Sequence, residues 1–358
     1  MPINWTESMT QTFEFWEVDP YTWNRIKKIN NIVSCSISRD ISTETKENAS
    51  LECIGNIDEC YIRPILTPVQ NGIKYEVPLG TFLVQTPGET FNGKFSSYSI
   101  DAYSPLIELK EKYPPLGYTI PKNTNIMKIA VELVKENMRS PVVSPGENAK
   151  ILDADYIANP DDTWLSFIID LIAKADMSIE LDDTGQVIFV PSKETSKMQP
   201  KWTYDDSNSS ILLPNINIQR DLYGIPNVLE VYYTGDNSHL YSKVVNDEED
   251  SPISTINRGR EIMQRDTSPS LSGNPTQEML DEYAERSLRS LSTLEYHVSY
   301  THGYTPTRVN DCVRLNYVRA NLNNVNVRVL SQQINCNTGI TVSETSIYTN
   351  RYYKSDLI

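Results

Sequence analysis

Three histidines (His239, His297, His302) and five cysteines (Cys35, Cys53, Cys60, Cys312, Cys336) carry the nucleophilic and metal-ligating potential of this chain. Adjacent carboxylates such as Asp161-Asp162, Asp182-Asp183 and Asp205-Asp206 carry its acid–base potential. Two carboxylates about 5–9.5 Å apart in a cleft would hydrolyse glycosides. Each pair here has a simpler reading, the first as a helix start, the second as a hairpin turn, the third as a loop after Trp202-Thr203-Tyr204. No G-x-S-x-G presents a serine nucleophile. C-x-x-C and H-E-x-x-H are absent too, and His297 and His302, five apart on an expected strand, point to opposite faces. Asp153-Ala154-Asp155 begins like a calcium loop but lacks the Gly and final Glu that complete one. The stretch Gly88 to Phe95 matches a phosphate-binding loop up to its last position, where Phe95 replaces the magnesium-binding Ser or Thr. Its Asn92-Gly93 reads instead as a hairpin turn, and no G-x-G-x-x-G occurs elsewhere. No residue is therefore assigned a catalytic, cofactor-binding or metal-ligating role, and the chain is expected not to be an enzyme.

Composition narrows the partners. Lys plus Arg number 32 against 47 Asp plus Glu, a formal net charge of −15, and the pI is near 4.7. Gripping a nucleic-acid backbone takes clustered cations, which this balance disfavours. A surface that nucleic acid slides past would instead gain from negative charge. Domains of roughly 100–200 residues imply roughly two to four in this chain. The odd, scattered cysteines do not form a disulfide framework and read as free thiols. The N-terminus shows no basic segment followed by an apolar one, so the chain is expected to stay in the cytosol, and no window is apolar enough to span a membrane.

Residues 13–103 carry strand and turn signals. Val33, Cys35 and Ile37 share one face of a predicted strand, and Asn71-Gly72 and Asn92-Gly93 suit type I′ turns. Pro64 and Pro68 predict an edge or irregular strand over Tyr61 to Val69. These residues read as an antiparallel sandwich or barrel. A short helix follows over Leu106 to Lys112, then one capped by Thr124 and running to about Met138. A third, apolar almost all round, is expected to start at Asn159-Pro160 and run to about Ala175. A hairpin around Asp182-Asp183-Thr184-Gly185 completes an α+β module. From Trp202 strands return, interrupted by a helix over 274–291 that Asn274-Pro275 would start. The stretch Asn246 to Gly273, acidic at Asp247 to Asp250, reads as a long excursion, either functional or mobile, whose deletion is expected to leave the fold intact and impair assembly.

The order of these regions resembles the central baseplate hub proteins of bacteriophage and prophage tails. The resemblance rests on Val77-Pro78-Leu79-Gly80-Thr81-Phe82-Leu83-Val84, Ser99 to Leu106, Tyr118-Thr119-Ile120-Pro121, the Asn159-Pro160 helix and Asp183 to Pro191. It continues in Ile225-Pro226-Asn227-Val228-Leu229-Glu230-Val231-Tyr232, the helix from Asn274 and Asn310-Asp311-Cys312-Val313-Arg314-Leu315, where Asn310 replaces the family's Gly. It implies a mainly β fold in which two tube-type antiparallel β-barrel domains, 1–105 and 202–358, flank a small α+β module, 106–201. It also implies a structural virion protein, a homotrimer forming a pseudo-sixfold ring as a symmetry adaptor. Such a ring joins the tail tube or distal tail protein to a spike or tip, and its lumen passes DNA and the tape-measure protein without specific binding during genome ejection. The chain would be assembled in the host cytoplasm and end in the tail baseplate, with ring-contact residues unassigned. Some members append a cell-wall-degrading domain, for which this chain is expected to have no room. Two other readings stand beside this one: a carbohydrate-binding tail-tip or adhesin protein using the 21 tyrosines and 5 tryptophans, and an acidic glycoside hydrolase.

Overall fold

The computed structural model describes residues 3–91, 93–94, 96–191, 198–235, 239–271, 275–337 and 339–354. The fold is mainly β with a small α+β insertion. The chain divides into two units, Met1–Ile216 with Tyr300–Ser346, and Asn217–Ser299 with Ile347–Ile358.

In the first unit the N-terminal strands are β1 (Thr10–Val18), β2 (Arg25–Ile29), β3 (Ile32–Asp40), β4 (Glu47–Ile54), β5 (Tyr61–Gln70), β6 (Ile73–Lys74), β7 (Val77–Pro78), β8 (Phe82–Phe91) and β9 (Ser96–Tyr103). Alternation drives them: in β4 Ala49, Leu51 and Cys53 face inward and Asn48, Ser50 and Glu52 outward. Asn71 and Gly72 both take positive φ, 51° and 77°, in the two-residue turn that pairs Gln70 with Ile73. The phosphate-loop look-alike is a hairpin, with Phe91 of β8 opposite Ser96 of β9; Asn92 and Phe95 themselves lie outside the described residues.

Strand β5 corrects an expectation. It is buried and paired along its length with β1, despite Pro64 and Pro68. Both prolines turn their carbonyls away from β1, to Leu79 N–H at 3.0 Å and Tyr75 N–H at 2.9 Å. Their missing N–H groups fall on the side served only by β6, β7 and the start of β8. The β1 ladder therefore loses no donor.

The insertion contains α1 (Ile107–Lys110), β10 (Thr119–Ile120), α2 (Ile126–Asn137), β11 (Tyr156–Ile157), α3 (Trp164–Ala173), β12 (Met177–Leu181) and β13 (Val187–Pro191). Its core gathers Ile126, Ala130 and Val134 from α2, Leu165, Phe167, Ile168 and Leu171 from α3, and Ile179, Leu181 and Val187 from the β12–β13 hairpin. The helix starts differ from expectation. Helix α2 is capped by Asn125, one residue after Thr124. Helix α3 begins after Thr163, whose hydroxyl and that of Ser166 form a reciprocal capping box. Asn159 to Asp162 instead form a preceding turn closed by the Asp162 carboxylate on the Asn159 N–H, at 2.8 Å.

After the insertion come β14 (Trp202–Asp205), β15 (Leu212–Arg220), β16 (Val228–Thr234), β17 (His239–Val245), α4 (Thr255–Arg258), β18 (Met263–Asp266) and α5 (Gln277–Leu291). The chain closes with β19 (Thr293–Gly303), β20 (Cys312–Tyr317), β21 (Leu322–Asn335) and β22 (Thr341–Arg351). The large sheet runs β15-β19-β22-β21-β3-β4-β9-β8-β5-β1-β2, with β6 and β7 on β5, and with β14 joined through β20 to β21. Antiparallel pairing of β21 with β3, Ser331 opposite Asp40 through Asn335 opposite Ser36, joins the C-terminal strands to the N-terminal ones.

The second unit packs the three-stranded sheet β17-β16-β18 against α5. Leu229 and Val231 meet Leu280, Ala284 and Leu288 there. Thr276 caps α5, two residues after the expected start; Asn274 lies outside the described residues. The excursion after Asn246 is also not what its composition suggested. It supplies β18, hydrogen-bonded in parallel to β16, and buries Ile253 completely, while Asn246 donates to Ser251 Oγ at 3.1 Å. Its deletion would strip an edge strand from this sheet. Ile253→Ala is expected to cost about 2–5 kcal/mol by leaving a cavity, read as a lower urea midpoint; a change within about 0.5 kcal/mol, usual for a surface position, would return the segment to a dispensable loop.

Candidate functional site: a buried charge junction

Two of the motifs singled out in the sequence, Leu79 to Phe82 and the β12–β13 turn Asp182 to Gln186, meet in the first unit with the segment Thr305 to Asn310, which leads into β20 and ends at the start of a third. Gly80 N–H donates to Asp183 O at 2.9 Å. The Thr184 carbonyl accepts from Thr81 Oγ1 at 2.7 Å, Trp23 Nε1 at 2.9 Å and Arg63 Nη2 at 3.1 Å. Ser140 Oγ donates to Gly185 O at 2.8 Å. Two glycines permit this approach. Gly80 has φ +124° and Gly185 φ +78°; a Cβ on Gly185 would lie 2.8 Å from Thr81 Cβ, and one on Gly80 2.7 Å from the Phe82 ring. Asn310 takes the left-handed φ of 67°, which Asn tolerates, and its amide donates to Glu180 Oε1.

Charge lies beneath this seam. Arg39 on β3 is 1% exposed and Glu47 on β4 is 3% exposed, their side chains 3.7 Å apart. Arg39 Nη2 donates to Leu79 O at 2.9 Å and Nη1 to Gln332 Oε1 at 3.3 Å. Arg308 bridges two carboxylates, donating to Glu47 and, at 2.6 Å, to Asp183 Oδ1. One chain of contacts thus ties β3, β4, the inserted hairpin and the segment before β20. Burial lowers the pKa of Arg39, as does the neighbouring Arg308 cation, while Glu47 opposes both. Burial acts the same way on Arg308, but the Glu47 and Asp183 carboxylates outweigh it and its pKa rises. Desolvation pushes the Glu180 carboxyl up against the Asn310 hydrogen bond, and burial helps push Arg63 down to about 10.

Gln332 on β21 carries the network onward. Its amide donates to Thr307 O at 3.0 Å and to Glu344 Oε1 at 2.5 Å. Glu344 also accepts from Tyr300 OH at 2.8 Å and Thr307 Oγ1 at 3.2 Å, and His302 Nε2 lies 3.3 Å away. The other ring nitrogen of His302 faces the Gly303 carbonyl at 2.5 Å. Tyr204 OH, 3.1 Å from His302 Nε2 and 2.8 Å from Thr305 Oγ1, joins the same buried network. Burial works to raise the Glu344 pKa, yet the bonds from His302, Gln332 and Tyr300 together hold it below the ordinary carboxyl value.

This cluster holds strands together; it has no access to a substrate. His302 is fully buried, Glu344 is 1% exposed, and both carboxylate oxygens are occupied. His297 is half-buried on the opposite face of β19, as the odd offset required. One carboxylate of each sequence pair serves a local turn: Asp182 accepts from Thr184 N–H and Gln186 N–H, Asp205 from Ser207 N–H, and Asp162 closes the turn before α3. Asp155 accepts from Lys122 N–H at 2.8 Å. Among the described residues, no group of three or more His, Cys, Asp or Glu side chains is arranged to hold a metal ion. Arg39, Glu47, Arg308 and Glu344 were not singled out in the sequence, although a signal was present. Arg39 follows Cys35 and Ile37 in the inward register of β3, Glu47 precedes Ala49 and Leu51 in that of β4, and Glu344 follows Val342 in that of β22.

Because the folded Glu344 has a lowered pKa, its ionised form stabilises the fold above the ordinary carboxyl value of 4.5, and that contribution is lost as pH falls through the lower folded value. Glu344→Gln is expected to cost about 1–3 kcal/mol at neutral pH by replacing an acceptor oxygen with an amide in a buried network of donors and to flatten the dependence of Tm on pH below that value. An acid limb as steep as that of the parent chain would contradict this role for the Glu344 carboxylate.

No protein-family model and no curated protein sequence matches the chain. Solved structures do. The tail protein from Neisseria meningitidis MC58 superposes with a TM-score of 0.59 at 8% identity, over 95% of this chain and 97% of that one. The 43 kDa tail protein of prophage MuSo2 from Shewanella oneidensis gives 0.56 at 11% identity, over 93% and 97%. A Francisella PdpA–VgrG complex gives 0.53 at 11% identity, over 97% of this chain and 58% of that one. At these identities the likeness is one of fold, and the fold of this chain is that of the phage-type tail proteins.

Proposed function

We propose that this chain is a structural protein of a phage-type tail, the central hub of its baseplate or tip. The observation that carries the reading is the end-to-end match to two tail proteins, covering nearly all of this chain and of each of them. The resemblance found in the sequence agrees with it. In this reading three copies form a pseudo-sixfold ring. Residues 1–105 and 202–358 supply two tube-type barrels per copy, and 106–201 lies outside the ring. The ring joins the tail tube or distal tail protein to a spike or tip protein and adapts sixfold to threefold symmetry. DNA and the tape-measure protein pass through its lumen, where carboxylates from a chain of net charge −15 repel phosphates. Assembly takes place in the host cytoplasm and the final location is the virion tail. Among the described residues no helix is long and apolar enough to cross a membrane.

One observation favours a second reading, a carbohydrate-binding tail-tip protein. Tyr232 and Tyr241 form a tilted ring pair 4.9 Å apart, 37% and 45% exposed, with both hydroxyls held by the Glu230 carboxylate. Rigid tyrosine faces of this kind suit sugar stacking.

Light scattering separates the two. The hub reading predicts a particle of three times the 40.8 kDa chain mass, alone or on addition of a tube or spike partner. A monomer at every concentration and salt, indifferent to such partners, overturns it; glycan binding lost in Tyr241→Ala would then establish the second.

A further inference from the structure

The pairing of β21 with β3 ends on two cysteines. The register that sets Ile334 opposite Ile37 and Asn335 opposite Ser36 brings Cys336 opposite Cys35, and the Cys336 N–H donates to the Cys35 carbonyl at 2.9 Å. Directly opposed residues on antiparallel strands point to the same face. Cys35 and Cys336 both turn into the core, 2% and 5% exposed. Hydrogen-bonded antiparallel pairs hold Cα atoms about 5.5 Å apart, within the span of about 4.4–6.8 Å that a disulfide bridges; the opposed Cβ atoms, about 4.5–5.5 Å apart, close to a disulfide's span of about 3.5–4.5 Å when the end of the seam shifts. Cys53 is also buried, but it lies on β4 with Leu51, not Cys53, opposite Cys35. Cys312 turns its sulfur to its neighbour's carbonyl.

We propose that Cys35 and Cys336 form a latent disulfide that locks β3 to the turn following β21 once the protein meets an oxidising medium. The oxidant is a low-molecular-weight disulfide. One cysteine thiolate attacks it and expels a thiolate; the second cysteine, giving up its proton, attacks the mixed disulfide and expels the other. Two protein thiols are oxidised to one S–S bond and the small disulfide is reduced to two thiols. The bond closes a loop of nearly the whole chain, where the loss of unfolded-state entropy is largest. It pins the seam between the N-terminal and C-terminal strands. The neighbouring Cys336 thiol and burial push the Cys35 thiol well up, so exchange on the closed sheet is slow and proceeds when the end of the seam opens. The biological setting rests on the tail reading above, since a cytosolic protein is kept reduced and a released particle is not. The crosslink itself is independent of that reading.

The purified full chain is incubated with oxidised glutathione, with and without mild urea to open the seam, then alkylated and mapped by mass spectrometry. The expected product is the intact chain lighter by two hydrogens, with peptides joined through Cys35 and Cys336. A Tm rise of about 5–10 °C is expected, reversed by reductant, preserved in Cys53→Ala and absent in Cys336→Ala. Free, alkylated Cys35 and Cys336 after both incubations, or a crosslink from Cys35 to Cys53, overturns the proposal. The mapping uses the unaltered chain, so it does not depend on how a variant folds, and a failed trimer assay would not alter its result.

Discussion

A guanidinium removed from water must find its counter-charge inside the fold, and the first unit is organised around that requirement. Arg39 contributes one buried cation, and Glu47 faces both it and the mostly buried Arg308. Breaking such a pair is strongly destabilising, because it strands a charge where water cannot reach it. The β3–β4 register, the seating of the inserted hairpin and the path before β20 must therefore all be kept together. A two-residue slip would preserve the apolar alternation of the strands but break these bonds. The close approach of Gly80 and Gly185 serves the same end, bringing the Asp183 carboxylate within reach of Arg308.

Much of the local structure was legible in the residues. Asn71-Gly72 and Asp182 to Gly185 fall in the turns they encode, and α2, α3 and α5 appear where apolar spacing put them. Helix starts were misplaced because an Asn-Pro pair competes with nearby threonines. Thr163 and Thr276 accept the N-terminal N–H groups, and Asn159 is spent on a turn. The prolines of β5 misled for a different reason: a proline is excluded only where a ladder needs its N–H, and both sit on the side away from β1. The β21–β3 pairing was not legible at all, since nothing in two distant strands names the partner. The junction lay between these cases. A charge in the inward register of a strand is visible in the sequence, but which charge answers it depends on the tertiary fold.

The same features bear on function. Acid and base residues that looked reactive as a list are consumed by turns, caps and a sealed network, which leaves surface charge and shape as the properties a partner meets. The likeness of fold to tail proteins at about a tenth of sequence identity fits a fold held by register and paired charges, requirements that many different side chains satisfy elsewhere in the sheet.

Native-state hydrogen exchange tests most directly whether the junction makes the insertion and the two β-regions one cooperative unit. The account predicts that amides of β3, β21 and the β12–β13 hairpin open with a common free energy and lose protection together in Glu47→Ala. A hairpin that exchanges independently of β3 in the parent chain, or that keeps its protection when Glu47 is removed, would contradict it.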